Sequence, residues 1–218
     1  QKELKAKNIL IAGDPSSAAI VGSAALIIPN SEIKIKKVNI NKTRIAFFKI
    51  LKKMNANIKI FNQKKISNEQ IADITFKSSN LKGVHLGKKT VAKMIDEIPI
   101  FSILATFAKG NSSFKGGGEL KNKESNRIKS LYNGLIACKI KVQRERDGLK
   151  ITGNKENNTA GYAKIKTYYD HRIAMAFLIM DLASKKKIIV DDLNCIKTSF
   201  PNFVSLIKNL GGNFSKKN

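Results

Sequence analysis

Three almost wholly apolar helical stretches, each entered through an aspartate, constrain this chain more than any other feature. The entries stand at Asp14, Asp96 and Asp170, and the apolar runs behind them reach Ile28, Phe107 and Ala183. A helix that is apolar on every side has no face for water and must be enclosed by other elements. Between these runs the pattern changes period. Ile33, Ile35 and Val38 alternate with lysines, which predicts a strand over Ser31–Val38. Asn41-Lys42-Thr43-Arg44 opens a helix that buries Ile45, Phe48, Leu51 and Met54, and Asn55–Phe61 and Ile71–Lys77 read as two more strands.

The same order then returns. Lys7–Ala12 reads as a strand, and Asp14 with Pro15 is a good start for the first helix. Met94–Phe107 is the second apolar helix, entered through Asp96-Glu97-Ile98-Pro99. A short strand follows near Ser113, then a helix from Lys123-Arg127 to Ala137. Lys139–Val142 and Leu149–Thr152 pair around Asp147-Gly148. The third round has Ile173–Ala183, a strand over Lys187–Val190, and a helix through Phe203, Leu206 and Ile207 that ends at Gly211-Gly212. Three rounds of one α/β pattern predict a single domain over 1–218 with internal pseudo-symmetry. If the buried helices run parallel, their N-termini collect partial positive charge on one face.

The polar residues at these entries are the candidate site. Lys123 and Arg127 are four apart, which puts them on one face if the helix already includes both, with Glu124 between them. Cations at a helix start hold anions, because free N–H groups and the helix dipole favour negative charge there. Asp96 precedes the second buried helix, and His171 and Arg172 begin the third. Each also has an ordinary role: a cap for Asp96, a hydrogen-bonded ring for His171, an ion pair with Asp170 for Arg172. Taken together they suit an anionic substrate whose chemistry needs proton transfer.

Several classes fall away. The longest apolar stretches, Ala18–Ile28 and Ile95–Ala108, are too short or too interrupted to span a membrane, and no signal peptide is visible. Cys138 and Cys195 lack metal-ligand spacing and read as reduced core thiols of a cytoplasmic protein. With two histidines in the chain, no metal site is expected. Gly13-Asp14-Pro15-Ser16-Ser17 lacks the spacing and the lysine of a nucleotide-binding phosphate loop. His85 reads as a loop residue. The net charge of +25 raises a basic nucleic-acid-binding α/β domain as an alternative. Its lysines are scattered without interleaved aromatics, however, as an AT-rich genome would produce, so no specific nucleic-acid partner is expected. The chain opens on Gln1 within a polar run, which points to a longer parent.

Gly13-Asp14-Pro15-Ser16-Ser17-Ala18-Ala19, Asn41-Lys42-Thr43-Arg44, Ile95-Asp96-Glu97-Ile98-Pro99, Glu119 through Arg127, Asp170-His171-Arg172-Ile173-Ala174-Met175-Ala176 and Thr198-Ser199-Phe200-Pro201 follow in fixed order. In this the chain resembles the C-terminal half of the 5-enolpyruvylshikimate-3-phosphate synthase family. The resemblance implies an enolpyruvyl transferase-like α/β domain: three pseudo-symmetric βαβαββ units around buried parallel helices. Its site would lie in a cleft against the N-terminal half of the same protein. The implied reaction moves the enolpyruvyl group of phosphoenolpyruvate to the 5-hydroxyl of shikimate 3-phosphate and releases phosphate, through a tetrahedral intermediate.

By the same resemblance Asp96 accepts a proton and contacts the shikimate hydroxyls, and Lys123 binds shikimate 3-phosphate. Glu124 handles protons at the methylene carbon. Arg127 and Arg172 grip phosphoenolpyruvate, and His171 supports them. No metal or organic cofactor is implied, and the parent would be a monomer. Asn126 stands where aspartate is usual, and Lys121 where arginine is usual. Further substrate contacts of the family belong to its N-terminal half, so the 218-residue chain alone is expected to be inactive. The related transferase acting on UDP-N-acetylglucosamine is the nearest alternative.

Overall fold

The computed structural model describes residues 8–153 and 162–214. The first round holds helix α1 (Pro15–Ile27), strand β1 (Glu32–Asn39), helix α2 (Ala46–Lys53) and the hairpin of β2 (Asn57–Ile66) and β3 (Glu69–Lys77). The second holds β4 (His85–Leu86), α3 (Lys88–Lys93), a 3₁₀ turn (Ile95–Glu97), α4 (Ile98–Phe107) and β5 (Gly110–Phe114). A further 3₁₀ turn (Gly118–Asn122), α5 (Arg127–Ala137), β6 (Val142–Glu145) and β7 (Gly148–Gly153) complete it. In the third are β8 (Ala163–Ile165), α6 (His171–Leu182), β9 (Ile188–Val190), α7 (Asn194–Lys197) and α8 (Phe203–Asn209).

The sheets repeat one wiring. In the second round β4 runs parallel to β5, β5 antiparallel to β7, and β7 antiparallel to β6. The first round copies this with β1 against β3 and β3 against β2, both antiparallel. Gly13 stands in for the leading strand through a parallel bridge to Val38. The third round begins the same way, with β8 parallel to β9.

The three apolar helices α1, α4 and α6 pack on one another at the centre. Every residue of α4 is buried. Its two hydroxyls therefore turn back on the helix: Ser102 Oγ donates to the Ile98 carbonyl and Thr106 Oγ1 to that of Ile103. Helix α1 is built largely of Ala, Gly and Ser, which lets neighbours come close; Gly22 lies against the Phe76 ring. Each fully buried Ile, Leu or Phe in this centre contributes roughly 1.5–3 kcal/mol. Helix α2 is amphipathic, burying Phe47, Phe48, Ile50 and Leu51 from outside. Helix α8 ends in a Schellman turn, with Gly212 N donating to the Ile207 carbonyl, Gly211 N to that of Lys208, and Gly211 at φ +93°.

The N-termini of the central helices meet on one face. Ser16 of α1 donates to Glu97 before α4, and Arg172 of α6 donates to the Asp96 carbonyl. That is the parallel arrangement the three rounds predict.

Some local expectations fail. The stretch 8–12 is not a strand; it contracts to the single bridge at Gly13, and Ile9 and Ile11 stay exposed. A bulge in β1, with Lys37 at φ +56°, lies where the incoming chain meets that edge, and Gly13 bonds there, donating to the Lys37 carbonyl and accepting from Asn39 N. Lys7 lies outside the described residues. His85 is not in a loop: it opens β4, and its Nδ1 lies 2.9 Å from Ser113 Oγ. The turn between β6 and β7 consists of Arg146 and Asp147, and Gly148 is already in the strand, paired with Glu145. A Cβ at Gly148 would sit 1.8 Å from the Phe114 carbonyl oxygen. Backbone cannot swing aside as a side-chain end can. Gly148→Ala is therefore expected to destabilise the protein by about 3 kcal/mol, read as a lower urea midpoint with an unchanged slope. An unchanged midpoint would contradict this packing.

Candidate active site

The entries to α4, α5 and α6 build one polar cluster on the shared face. Asp96 ends no helix of its own. It lies in the 3₁₀ turn that precedes α4, and its side chain caps nothing. It is instead ringed by cations. Arg127 Nη1 donates to Asp96 Oδ1 at 3.1 Å, Lys123 Nζ lies 3.7 Å from the same oxygen, and Arg172 Nη2 lies 3.8 Å from Oδ2. Arg172 Nη1 also donates to the Asp96 carbonyl at 3.3 Å. Partial burial pushes the Asp96 carboxyl up, but Arg172, Lys123 and Arg127 together outweigh it and hold the group below its ordinary value. Asp96 is thus ionised at neutral pH.

Lys123 and Arg127 do not share a helical face. Helix α5 begins only at Arg127, and Lys123 is in extended backbone. The two cations converge through Asp96 rather than through helical spacing. Asn126 is the cap of α5, its Oδ1 accepting from Lys129 N.

Arg127 is the hub. It is 1% exposed, and its guanidinium reaches three carboxylates. Nε donates to Asp170 Oδ2 at 2.9 Å, Nη1 to Asp96, and Nη2 to Glu124 Oε2 at 2.5 Å. Asp170 is fully buried and does two jobs: it caps α6 by accepting from Arg172 N and Ile173 N, and it anchors Arg127. Ser125 Oγ adds a third kind of donor, at 3.0 Å. The ordinary alternative for Arg172, an ion pair with Asp170, does not form. Asp170 is committed to Arg127, which leaves the Arg172 side chain to face Asp96.

Glu124 is half-exposed, and its Oε1 lies 3.8 Å from His171 Nδ1. Burial, followed by Arg172, holds the His171 ring below its ordinary value, against the pull of Glu124 and Asp170. The imidazole is therefore neutral at pH 7 and can donate or accept. The six residues singled out in the sequence, Asp96, Lys123, Glu124, Arg127, His171 and Arg172, are all brought together. Asp170, which fixes Arg127, was legible only as a helix entry, and nothing in the sequence marked Ser125, which donates to Asp170. Among the described residues no group of His, Cys, Asp and Glu is placed to hold a metal ion. Cys138 and Cys195 are buried and unpaired, their thiols pushed up by burial to about 12 and about 11. No helix among the described residues is long and apolar enough to cross a membrane.

Such a face, with three cations and exchangeable protons, suits an anion. Comparison with known proteins gives the lineage. The family model for EPSP synthase (3-phosphoshikimate 1-carboxyvinyltransferase) matches residues 1–207. The chain belongs to the EPSP synthase family. It is 41% identical over 214 residues to the 3-phosphoshikimate 1-carboxyvinyltransferase of Parvibaculum lavamentivorans, covering 98% of this chain and 47% of the relative. Against the Bartonella quintana protein of the same name the identity is 42%, with coverages of 99% and 49%. An EPSP synthase structure from Acinetobacter baumannii superposes with a TM-score of 0.90 at 32% identity, over 99% of this chain and 50% of that one. The enolpyruvyl transferase NikO from Streptomyces tendae shares the fold, with a TM-score of 0.70 at 14% identity, over 91% of this chain and 43% of its own. The chain thus spans about half the length of the curated relatives it matches.

Proposed function

We propose that the full-length protein transfers the enolpyruvyl group of phosphoenolpyruvate to the 5-hydroxyl of shikimate 3-phosphate, releasing phosphate. The observation that carries this reading is the ionised Asp96 held among Lys123, Arg127 and Arg172. The attacking hydroxyl must lose a proton, and Asp96 is the acceptor. The vinyl carbon must gain a proton and later return one; Glu124 serves it, with neutral His171 beside it. Both substrates are anions. Arg127 and Arg172 bind phosphoenolpyruvate through the paired N–H geometry that suits carboxylate and phosphate. Lys123 binds shikimate 3-phosphate as a point charge. In the free protein these cations are matched by Asp96, Glu124 and Asp170, and an incoming anion competes for them.

On this reading the 218 residues form one domain and act as a monomeric cytoplasmic enzyme only together with the N-terminal half, which supplies the remaining substrate contacts. No cofactor takes part. The test is phosphate release by the full-length protein. It should require both phosphoenolpyruvate and shikimate 3-phosphate, and the 218-residue chain should give none. Release with UDP-N-acetylglucosamine in place of shikimate 3-phosphate would move the assignment to the sister transferase. Salt-sensitive nucleic-acid binding with no release from either acceptor would overturn it.

A further inference from the structure

Beside the cluster lies a contact that the proposed chemistry does not use. Ser16 Oγ, 2% exposed in the first turn of α1, donates to Glu97 Oε1 at 2.5 Å. Glu97 is 7% exposed and ends the 3₁₀ turn that carries Asp96. The bond joins residues 81 positions apart and ties the entry of α1 to the entry of α4. On its other side Ser16 Oγ accepts from Arg44 Nη2 at 3.3 Å, and the same nitrogen lies 3.4 Å from Asp14 Oδ1. The donors are in consistent order: guanidinium to hydroxyl, hydroxyl to carboxylate.

A 3₁₀ turn of three residues holds its side chains weakly, because its hydrogen bonds are few and poorly aligned. Asp96 has no cap bond to fix it. Arg127 holds its carboxylate and Arg172 its carbonyl, while the turn that carries it is anchored in the core by Glu97, the adjacent residue. We propose that the Ser16–Glu97 clasp, backed by Arg44, is the positioning element of Asp96, holding its carboxylate within reach of Lys123, Arg127 and Arg172. Glu97 touches no substrate in this scheme; it acts through its neighbour. Burial pushes its carboxyl up, against the Ser16 bond and the Arg172 and Arg44 charges, while ionised Asp96 adds to the rise. The charged groups facing Glu97 are Arg44 from before α2, itself paired with Asp14 at the entry of α1, Arg172 from α6, and the neighbouring Asp96, whose own cations are Lys123, Arg127 and Arg172.

This inference rests on the proposed reaction, and the experiment separates the two. In the full-length enzyme, Ser16→Ala and Glu97→Ala should each lower kcat about 10- to 100-fold, the scale of a misplaced catalytic group, with KM for both substrates within about threefold. With Asp96 released from its cations, the acidic limb of the pH profile of kcat/KM should move to higher pH in both. Glu97→Gln, whose amide oxygen still accepts from Ser16, should restore kcat and leave the limb unshifted upward. A purely structural role would lower stability and active fraction without moving the limb. Wild-type kcat and limb in Ser16→Ala and Glu97→Ala would overturn the proposal. Should Glu97→Ala not fold, Ser16→Ala and Glu97→Gln decide it alone. If the wild-type enzyme shows no turnover, the reaction itself is misassigned. The clasp is then read by carbon NMR titration of the Asp96 carboxyl, which should rise in Ser16→Ala and would refute the clasp if unmoved.

Discussion

Replacing Arg127 by methionine in the full-length protein is expected to lower its stability by about 3–5 kcal/mol, the range for breaking a buried ion pair from one side. Arg127 is 1% exposed and Asp170 is wholly buried. Methionine fills much of the volume but leaves the Asp170 carboxylate without its cation. The backbone donors Arg172 N and Ile173 N, with Ser125 Oγ, remain, so Asp170 stays partly satisfied and the loss should fall toward the lower end. The double variant Arg127→Met/Asp170→Asn should recover a good part of it. A neutral amide oxygen still caps α6, and no buried charge is stranded. Urea unfolding of the two variants beside wild type measures both steps. A single variant within 1 kcal/mol of wild type, or a double variant no better than the single, would mean the pair is not the anchor described. The test bears on activity as well, since a loosened Arg127 also loses its hold on Asp96 and Glu124.

Periodicity made the architecture legible because the three central helices are apolar all round, and only enclosure satisfies such a pattern. The entries at Asp14, Asp96 and Asp170 were equally visible, since a residue type at a helix start is a local signal. What lay beyond reach was tertiary. Nothing in the spacing of Ser16 and Glu97 says that α1 and α4 start side by side. Asp170 reads as a cap from its position and is one; its grip on Arg127 depends on α5 and α6 meeting. The helical spacing of Lys123 and Arg127 predicted that the two cations converge; they do so through Asp96 and not along a helical face, because the helix starts four residues later than that argument needs. The two-residue strand β4 and the three-residue β8 are too short to carry an alternation. Lys7–Ala12 looked like a strand because Ile9, Leu10 and Ile11 follow one another, yet Gly13 is where the chain bridges to β1, beside the bulge in that strand.

Asp96→Asn should lower kcat of the full-length enzyme by roughly 10²–10⁴-fold, the usual contribution of a positioned proton acceptor. Asparagine keeps the shape and still accepts from Arg127 Nη1, so folding and substrate affinity should be disturbed far less than turnover. The variant also has a pH signature. The Asp96 carboxyl is held below its unfolded value of 3.8, so its charge adds stability that is fully present above that pH and is lost as pH falls through the lower folded value. The wild-type advantage in Tm over Asp96→Asn should therefore appear at neutral pH and shrink in acid. Its size should be small, about 1 kcal/mol or less, because the side chain is 38% exposed and solvent screens it. A large kinetic loss joined to a small, acid-labile stability loss separates a chemical role from a structural one. A variant that turns over within tenfold of wild type would remove Asp96 as the acceptor, and Glu124, 45% exposed and bound to the same arginine, would be the next group to test.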